Sequence, residues 1–168
     1  GGLRWAISTL KIESMLDVGC GPGGMVKLAN NIGIKATGID GDYTLDRYDN
    51  SKFIIHDFTK GPVPITENYD LAWSAEFVEH VYEEYIPNYV QAMQQAKYLI
   101  MTYAPIGHGG YHHVNENTQE YWIETMSKYN FTYDENLTNQ MRQSSTIGKK
   151  KKHQFVRKTG LLFRNEQR

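Results

Sequence analysis

Short apolar segments alternate with stretches of helical spacing along this chain, and no other feature restricts its fold as strongly. Seven segments have the length and apolar character of buried strands: residues 15–18, 34–39, 52–56, 69–73, 97–103, 131–133 and 159–164. Four segments repeat apolar residues at helical intervals: residues 25–32, 83–96, 118–129 and 137–142. Because parallel neighbours need crossover connections, this order predicts an α/β fold with a doubly wound, mostly parallel sheet.

Composition excludes several other classes of protein. The 168 residues are 40% hydrophobic and 12% aromatic, which is enough apolar surface for one compact core and rules out a disordered chain. No repeat or linker interrupts the sequence, so we predict a single domain over residues 1–168. No apolar run approaches the ~20 residues of a membrane span. Cys20 is the only cysteine, which excludes a disulfide framework. We therefore expect a soluble, cytoplasmic protein without a membrane partner.

Positive charge is concentrated near the carboxyl end. Residues 149–168 hold eight of the 18 lysines and arginines but only one acid, Glu166. Four consecutive lysines at 149–152, followed by His153, could contact an anionic substrate or nucleic acid phosphates. Since no aromatic residue interleaves the run, as nucleic-acid stacking requires, we favour a solvated loop and keep nucleic acid as an alternative partner.

A glycine-rich segment, D-V-G-C-G-P-G-G at residues 17–24, directly follows the first predicted strand. Gly19, Gly21 and Gly24 also fit a dinucleotide-binding fingerprint. Asp17 argues against that reading, because a pyrophosphate gains nothing from a neighbouring carboxylate, whereas a cofactor with an amino group and a sulfonium does. Asp40 and Asp57 end the next two predicted strands, at the sheet edge where ligands of such folds bind. A dehydrogenase is therefore disfavoured.

In these motifs the sequence resembles the class I S-adenosylmethionine-dependent methyltransferases, whose signature of an acid followed by Gly-x-Gly-x-Gly stands at residues 17–23. The resemblance implies a Rossmann-like sheet of seven strands with the last strand antiparallel. It also implies that the glycine loop passes under the methionine part of S-adenosylmethionine, that Asp40 binds the ribose hydroxyls, and that Asp57 and Phe58 flank adenine. The cofactor-binding residues implied in this way are Asp17, Gly19, Cys20, Gly21, Gly23, Asp40, Gly41, Asp57, Phe58 and Ser74.

Two segments are candidates for contact with an acceptor. Residues 74–81, S-A-E-F-V-E-H-V, are similar to a stretch common in small-molecule methyltransferases, where Glu79 and His80 either act directly or only cap a helix. The loop at 105–115 carries three histidines, and we expect one of them to take a proton from a substrate hydroxyl: His108, His112 or His113. Their spacing also invites a metal site. No acid or cysteine lies at ligand spacing, and Glu116 could simply face solvent, so we predict no metal.

These observations favour an enzyme that methylates a small-molecule or glycan acceptor, and we expect the acceptor atom to be oxygen. The sequence lacks the Pro-Pro-Tyr/Phe and Pro-Cys motifs of amide or amine N-methylation and cytosine C5-methylation. An RNA or other polyanion methyltransferase and a non-catalytic S-adenosylmethionine-binding module remain alternatives. Only 13 residues precede Ser14, which is too few for the two or more helices that cap the substrate side in many family members. The pocket is therefore expected to be open. Either the substrate is large, or the loops after the strands and a second subunit of a homo-oligomer complete the lid, or an amino-terminal segment lies outside this sequence.

Overall fold

The computed structural model describes residues 1–145 and 154–168 and contains one seven-stranded sheet. Its strands are β1 (Ser14–Val18), β2 (Lys35–Asp40), β3 (Phe53–Ile55), β4 (Tyr69–Ser74), β5 (Ala96–Met101), β6 (Phe131–Tyr133) and β7 (Leu161–Asn165). They lie in the order β3-β2-β1-β4-β5-β7-β6. The first five strands are parallel, and β7 is antiparallel to both β5 and β6. The predicted fold class is thus confirmed.

Within residues 1–145 and 154–168, six α-helices accompany the sheet: α1 (Gly2–Leu10), α2 (Gly24–Asn31), α3 (Ile86–Met93), α4 (Gln119–Ser127), α5 (Glu135–Ser144) and α6 (Phe155–Thr159). Thr118 is the N-cap of α4, as predicted, and its hydroxyl accepts a hydrogen bond from the Tyr121 N–H. The helix predicted over 83–96 was wrong at both ends, since a 3₁₀ turn precedes α3 and β5 already begins at Ala96. The sequence analysis missed α1 and α6, and the lysine run lies outside the described residues.

Helices cover both faces of the sheet, and the strands supply apolar side chains to each face in turn. Leu16 and Val18 of β1 belong to the core that α3 and α4 cover, which includes Tyr89 and Trp122. Met15, the residue before Leu16, packs in the second core with α1, α2 and α5. Successive residues of a strand point to opposite faces, so a sheet buried on both sides needs nearly continuous apolar strands. This requirement explains the short apolar runs in the sequence.

The parallel strands place their carboxyl ends along one edge of the sheet, where the loops carrying the predicted site residues meet. The Ser74 hydroxyl donates to the Val18 carbonyl at 2.9 Å and joins the ends of β4 and β1. The N–H groups of Gly19 and Cys20 both donate to the Ile39 carbonyl, at 2.9 and 3.1 Å, and hold the glycine loop against β2. No helix in the described part of the chain has the length and apolar character needed to cross a membrane.

Candidate functional site

The glycine loop follows a path that only glycine permits at two positions. Gly19 and Gly23 have φ values of 77° and 85°, in the left-handed region. A Cβ on Gly19 would lie 2.1 Å from Cδ2 of Phe77, and one on Gly23 would lie 2.3 Å from Cζ of Phe53. The backbone of this loop is therefore in close contact with aromatic rings from β3 and from the segment after β4, as a close-fitting cofactor loop requires.

Asp40, at the end of β2, is hydrogen-bonded to the glycine loop. Its Oδ2 accepts from the Gly21 N–H and its Oδ1 from the Asp42 N–H, both at 2.8 Å. The guanidinium of Arg47 lies 3.9 Å from Oδ1 and donates to the carbonyls of Gly21 and Asp42. Each carboxylate oxygen can accept a further hydrogen bond, so the carboxylate remains able to receive a pair of hydroxyls. Sequence reasoning missed Arg47, which lies in a loop without periodic pattern.

A pocket of about 280 Å³ opens beside Asp40, at the ends of β2, β3 and β4. Gly41, Asp57, Phe58 and Phe77 are among its lining residues. Asp57 is exposed, and its Oδ1 accepts from the Thr59 hydroxyl and N–H, bonds that lower the pKa of the carboxyl group. Phe58 packs edge-on against Phe77 with ring centroids 6.0 Å apart. Aromatic walls and one carboxylate suit a flat base with an exocyclic amine.

Asp17 is the buried carboxyl group of this site. The residue is 4% exposed, and no described residue donates a hydrogen bond to its carboxylate. Burial, followed by repulsion from Asp40, raises the pKa of Asp17 to about 8. Such a carboxylate is stabilised by a cationic group placed against it, so this position fits a cofactor that carries an ammonium or sulfonium.

Two predicted cofactor residues use their side chains within the protein. The Ser74 hydroxyl forms the bond to Val18 described above, and the Cys20 thiol packs against Gly38, where an added Cβ would lie 2.6 Å from the sulfur. Burial, with the nearby Asp17 charge, raises the pKa of the Cys20 thiol to about 12, which makes it unreactive.

A polar cluster forms where the loop after β4 meets the loop after β5. The N–H groups of Val114 and Asn115 donate to the Glu79 carbonyl, at 2.8 and 3.1 Å, and hold the two loops together. The ring of His113 lies 5.0 Å from that of His80 and 5.8 Å from that of His108, measured between centroids. Two of the three predicted histidines, His108 and His113, thus lie in one cluster with Glu79 and His80, the pair that the sequence offered as alternative candidates.

His112 is placed outside this cluster. It is exposed, has a φ of 54°, and turns its ring toward Tyr111. Its carbonyl, rather than its ring, contacts the cluster through Nδ1 of His80 at 3.2 Å. We therefore withdraw His112 from the candidate proton acceptors on geometric grounds.

Two carboxylates in the cluster are unusual. Glu79 is fully buried, and neither of its side-chain oxygens has a hydrogen-bond partner among the described residues. Burial raises its pKa. Glu76 has a φ of 55°, a strained backbone for a residue with a side chain, and burial followed by the Glu79 charge raises its pKa to about 7. Sequence reasoning missed Glu76, because its left-handed backbone leaves no mark in the sequence pattern.

Comparison with known proteins identifies the family of the chain. The family described as a methyltransferase domain matches residues 16–99. No curated protein matches the chain. Solved structures show the same fold at low identity. Magnesium protoporphyrin IX methyltransferase from Synechocystis PCC 6803, solved with bound SAH, superposes with a TM-score of 0.61 at 12% identity, over 96% of this chain and 78% of that one.

Two further structures are similar. The methyltransferase domain of bacterial CtHen1 gives a TM-score of 0.60 at 16% identity, covering 96% of this chain and 95% of its own. A TehB-like SAM-dependent methyltransferase from Corynebacterium glutamicum gives 0.65 at 15% identity, covering 92% and 80%. At these identities the structures establish the shared fold.

Proposed function

Because the chain belongs to the methyltransferase domain family, we propose that it transfers a methyl group from S-adenosylmethionine to a hydroxyl on a small molecule or a glycan. Dependence on S-adenosylmethionine follows from the family and agrees with the buried, unpartnered carboxylate of Asp17. The nature of the acceptor is the new part of the proposal. It rests on one observation, that two pockets lie next to each other. Phe77 lines the pocket beside Asp40, and the preceding residue, Glu76, lines a second pocket at the polar cluster.

The residues that would hold the methyl donor are those of the first pocket and the glycine loop. Asp17 would attract its ammonium group, Asp40 would accept hydrogen bonds from its ribose hydroxyls, and Asp57 would accept from the amine of its adenine. Bound there, S-adenosylmethionine supplies a methyl group on a positively charged sulfur, which is a good leaving group. The protein therefore has to align the acceptor and exclude water more than it has to activate the donor.

The second pocket is the proposed acceptor site. Its volume is about 280 Å³, and its lining includes Glu76, His108, Tyr103, Pro105 and Lys158. This size suits one aromatic or sugar ring, and polar groups against an apolar wall suit a hydroxylated acceptor. An acceptor oxygen that forms the new O–C bond loses its proton, and either His108 in the pocket lining or the surrounding water can take it.

That the chain acts as a single methyltransferase domain is part of the proposal, supported by the one sheet that the described residues share.

The test is methyl transfer from methyl-labelled S-adenosylmethionine to a panel of catechols, phenols, methyl glycosides and RNA oligonucleotides. We expect label on an oxygen of a catechol, phenol or glycoside, located by tandem mass spectrometry. Label on RNA alone would favour the polyanion alternative, and label on nitrogen or carbon would refute the hydroxyl acceptor. Binding of S-adenosylmethionine without transfer to any member of a broad panel would favour the non-catalytic module.

A further inference from the structure

We propose that Glu79, His80 and His113 bind a divalent transition-metal ion, of the class of Mn²⁺, Co²⁺ or Zn²⁺, at the carboxyl ends of β4 and β5. On the premise of the proposed function, this ion would hold the oxygen of the acceptor hydroxyl. A carboxylate with two imidazoles is a donor set that borderline divalent ions prefer.

The three side chains already converge. Each offers one ligand atom, and these atoms lie within 4.8 Å of one another. Ligands bound at about 2.1 Å to one ion lie roughly 3–4 Å apart, so only a small rotation of each side chain separates the present arrangement from a coordinating one. The histidine loop at 105–115 has no carboxylate at ligand spacing, and the missing carboxylate is supplied by Glu79 from the loop after β4.

The buried carboxylate of Glu79 points independently to a cation. It is 0% exposed, and among the described residues neither oxygen has a partner. A carboxyl group buried without a counter-charge is favoured to keep its proton, whereas one beside a bound cation is stable as the carboxylate. A divalent ion between Glu79 and the two histidines would supply the missing partner.

Both imidazoles are oriented as metal-binding histidines are. Nδ1 of His80 lies 3.2 Å from the His112 carbonyl, and Nδ1 of His113 lies 3.0 Å from Oε2 of Glu116. An oxygen acceptor at Nδ1 holds the proton there in the neutral ring and leaves the lone pair on Nε2. Gly110 provides the room at that atom of His113, since a Cβ on Gly110 would lie 2.5 Å from Nε2.

A second grouping, His108 with His113 and Glu116, satisfies the same distance criterion but is less suited. Oε2 of Glu116 already accepts from the Gly109 N–H at 2.7 Å and contacts Nδ1 of His113. This carboxylate is therefore satisfied by the protein and orients His113. We assign the ion to Glu79, His80 and His113.

An ion at this position would lower the pKa of a hydroxyl that binds to it, so that the proton leaves to water at neutral pH. The oxygen would then form the O–C bond as the C–S bond breaks, with the electron pair of that bond remaining on sulfur. Coordination would also fix the position of the oxygen.

Metal binding is tested without acceptor or methyl donor. The full chain is stripped with EDTA, dialysed, and titrated with Co²⁺ by visible absorbance and with Mn²⁺ or Zn²⁺ by calorimetry. We expect one ion per chain. Glu79→Gln, which removes a ligand, and Gly110→Ala, which displaces the His113 ring, should each weaken binding at least about tenfold. His112→Ala is the matched control, because its ring lies outside the cluster, and should bind as the unmodified chain does.

The results that would overturn the metal site are no binding by the folded chain or equal affinity in Glu79→Gln, Gly110→Ala and the control. Circular dichroism verifies folding, and Gly110 lies in an exposed loop, so a loss in that variant reports the site. Hydroxyl methylation that stops with EDTA and returns with Mn²⁺ would support the catalytic role, and methylation that persists after EDTA would refute it. Metal binding without any hydroxyl methylation would contradict the proposed function while the site stands.

Discussion

Replacing Asp17 with asparagine should change how the stability of the cofactor-free protein depends on pH. Burial raises the pKa of Asp17 from 3.8 to about 8, so between these values the folded protein holds a proton that the unfolded chain has lost. In that range the stability due to this group falls as pH rises, by about 1.4 kcal/mol per pH unit, and above pH 8 it changes no further. From pH 4 to pH 7 the loss is on the order of 4 kcal/mol, a large part of the ~5–15 kcal/mol that stabilises a typical domain.

The assay is urea unfolding of the two proteins at half-unit steps from pH 4 to pH 8.5. The quantity to compare is the difference in unfolding free energy between unmodified protein and Asp17→Asn, since other titrating groups cancel in it. We expect this difference to fall steadily across the range. Asp57→Asn serves as control, because hydrogen bonds from Thr59 lower the pKa of Asp57, and its difference curve should be flat above pH 5.

A flat difference curve for Asp17→Asn would refute the reasoning, because it would mean that the carboxyl group is ionised in the folded protein at low cost. Saturating S-adenosylmethionine provides a second check. Its ammonium would stabilise the charged carboxylate. The fall of unfolding free energy with pH should therefore become less steep in the unmodified protein and stay unchanged in Asp17→Asn. If the pH dependence of the unfolding free energy is unchanged in both proteins, Asp17 does not contact the ammonium group of the cofactor.

Three further changes test other parts of the account. Asp40→Ala should weaken S-adenosylmethionine binding by about 1–3 kcal/mol in calorimetry, because the ribose hydroxyls lose a charged acceptor; unchanged affinity would remove Asp40 from the site. Gly19→Ala should abolish that binding, since its Cβ would overlap the Phe77 ring, and addition of Phe77→Ala should restore part of it if the overlap matters more than the left-handed backbone. Changing the lysines at 149–152 to glutamine should leave transfer to a small hydroxyl acceptor unaltered in rate, and a marked loss would revive polyanion recruitment.

The cofactor half of the site was largely predictable because it follows a positional rule. Asp17 and Asp40 lie within the last two residues of β1 and β2, Asp57 lies just after β3, and in a parallel sheet those positions share one edge. The role of Arg47 was not predictable. Its guanidinium reaches Gly21 across a loop whose residues have no periodic pattern.

The acceptor half was predictable only in outline. The sequence places Glu79 and His113 in different loops, and nothing local reports that the β4–β5 pairing and two backbone hydrogen bonds bring them together. His112 and His113 look equivalent in sequence because they are consecutive, although the structure places the ring of His113 beside His80 and the ring of His112 beside Tyr111. Helix boundaries failed for a similar reason: Gln94 and Gln95 favour helix locally, but β5 begins beside them because Ala96 pairs with Tyr69 of β4.

The central claim is that this chain methylates a hydroxyl in the pocket between Glu76 and His108. The most direct measurement is tandem mass spectrometry of catechol, phenol and glycoside acceptors incubated with methyl-deuterated S-adenosylmethionine and the full chain. The account predicts a deuterated methyl ether that forms with the unmodified protein and is absent with Glu79→Gln. A deuterated methyl group on nitrogen, carbon or RNA alone would contradict hydroxyl methylation, whereas ether formation at full rate in Glu79→Gln would contradict only the role of the proposed metal site.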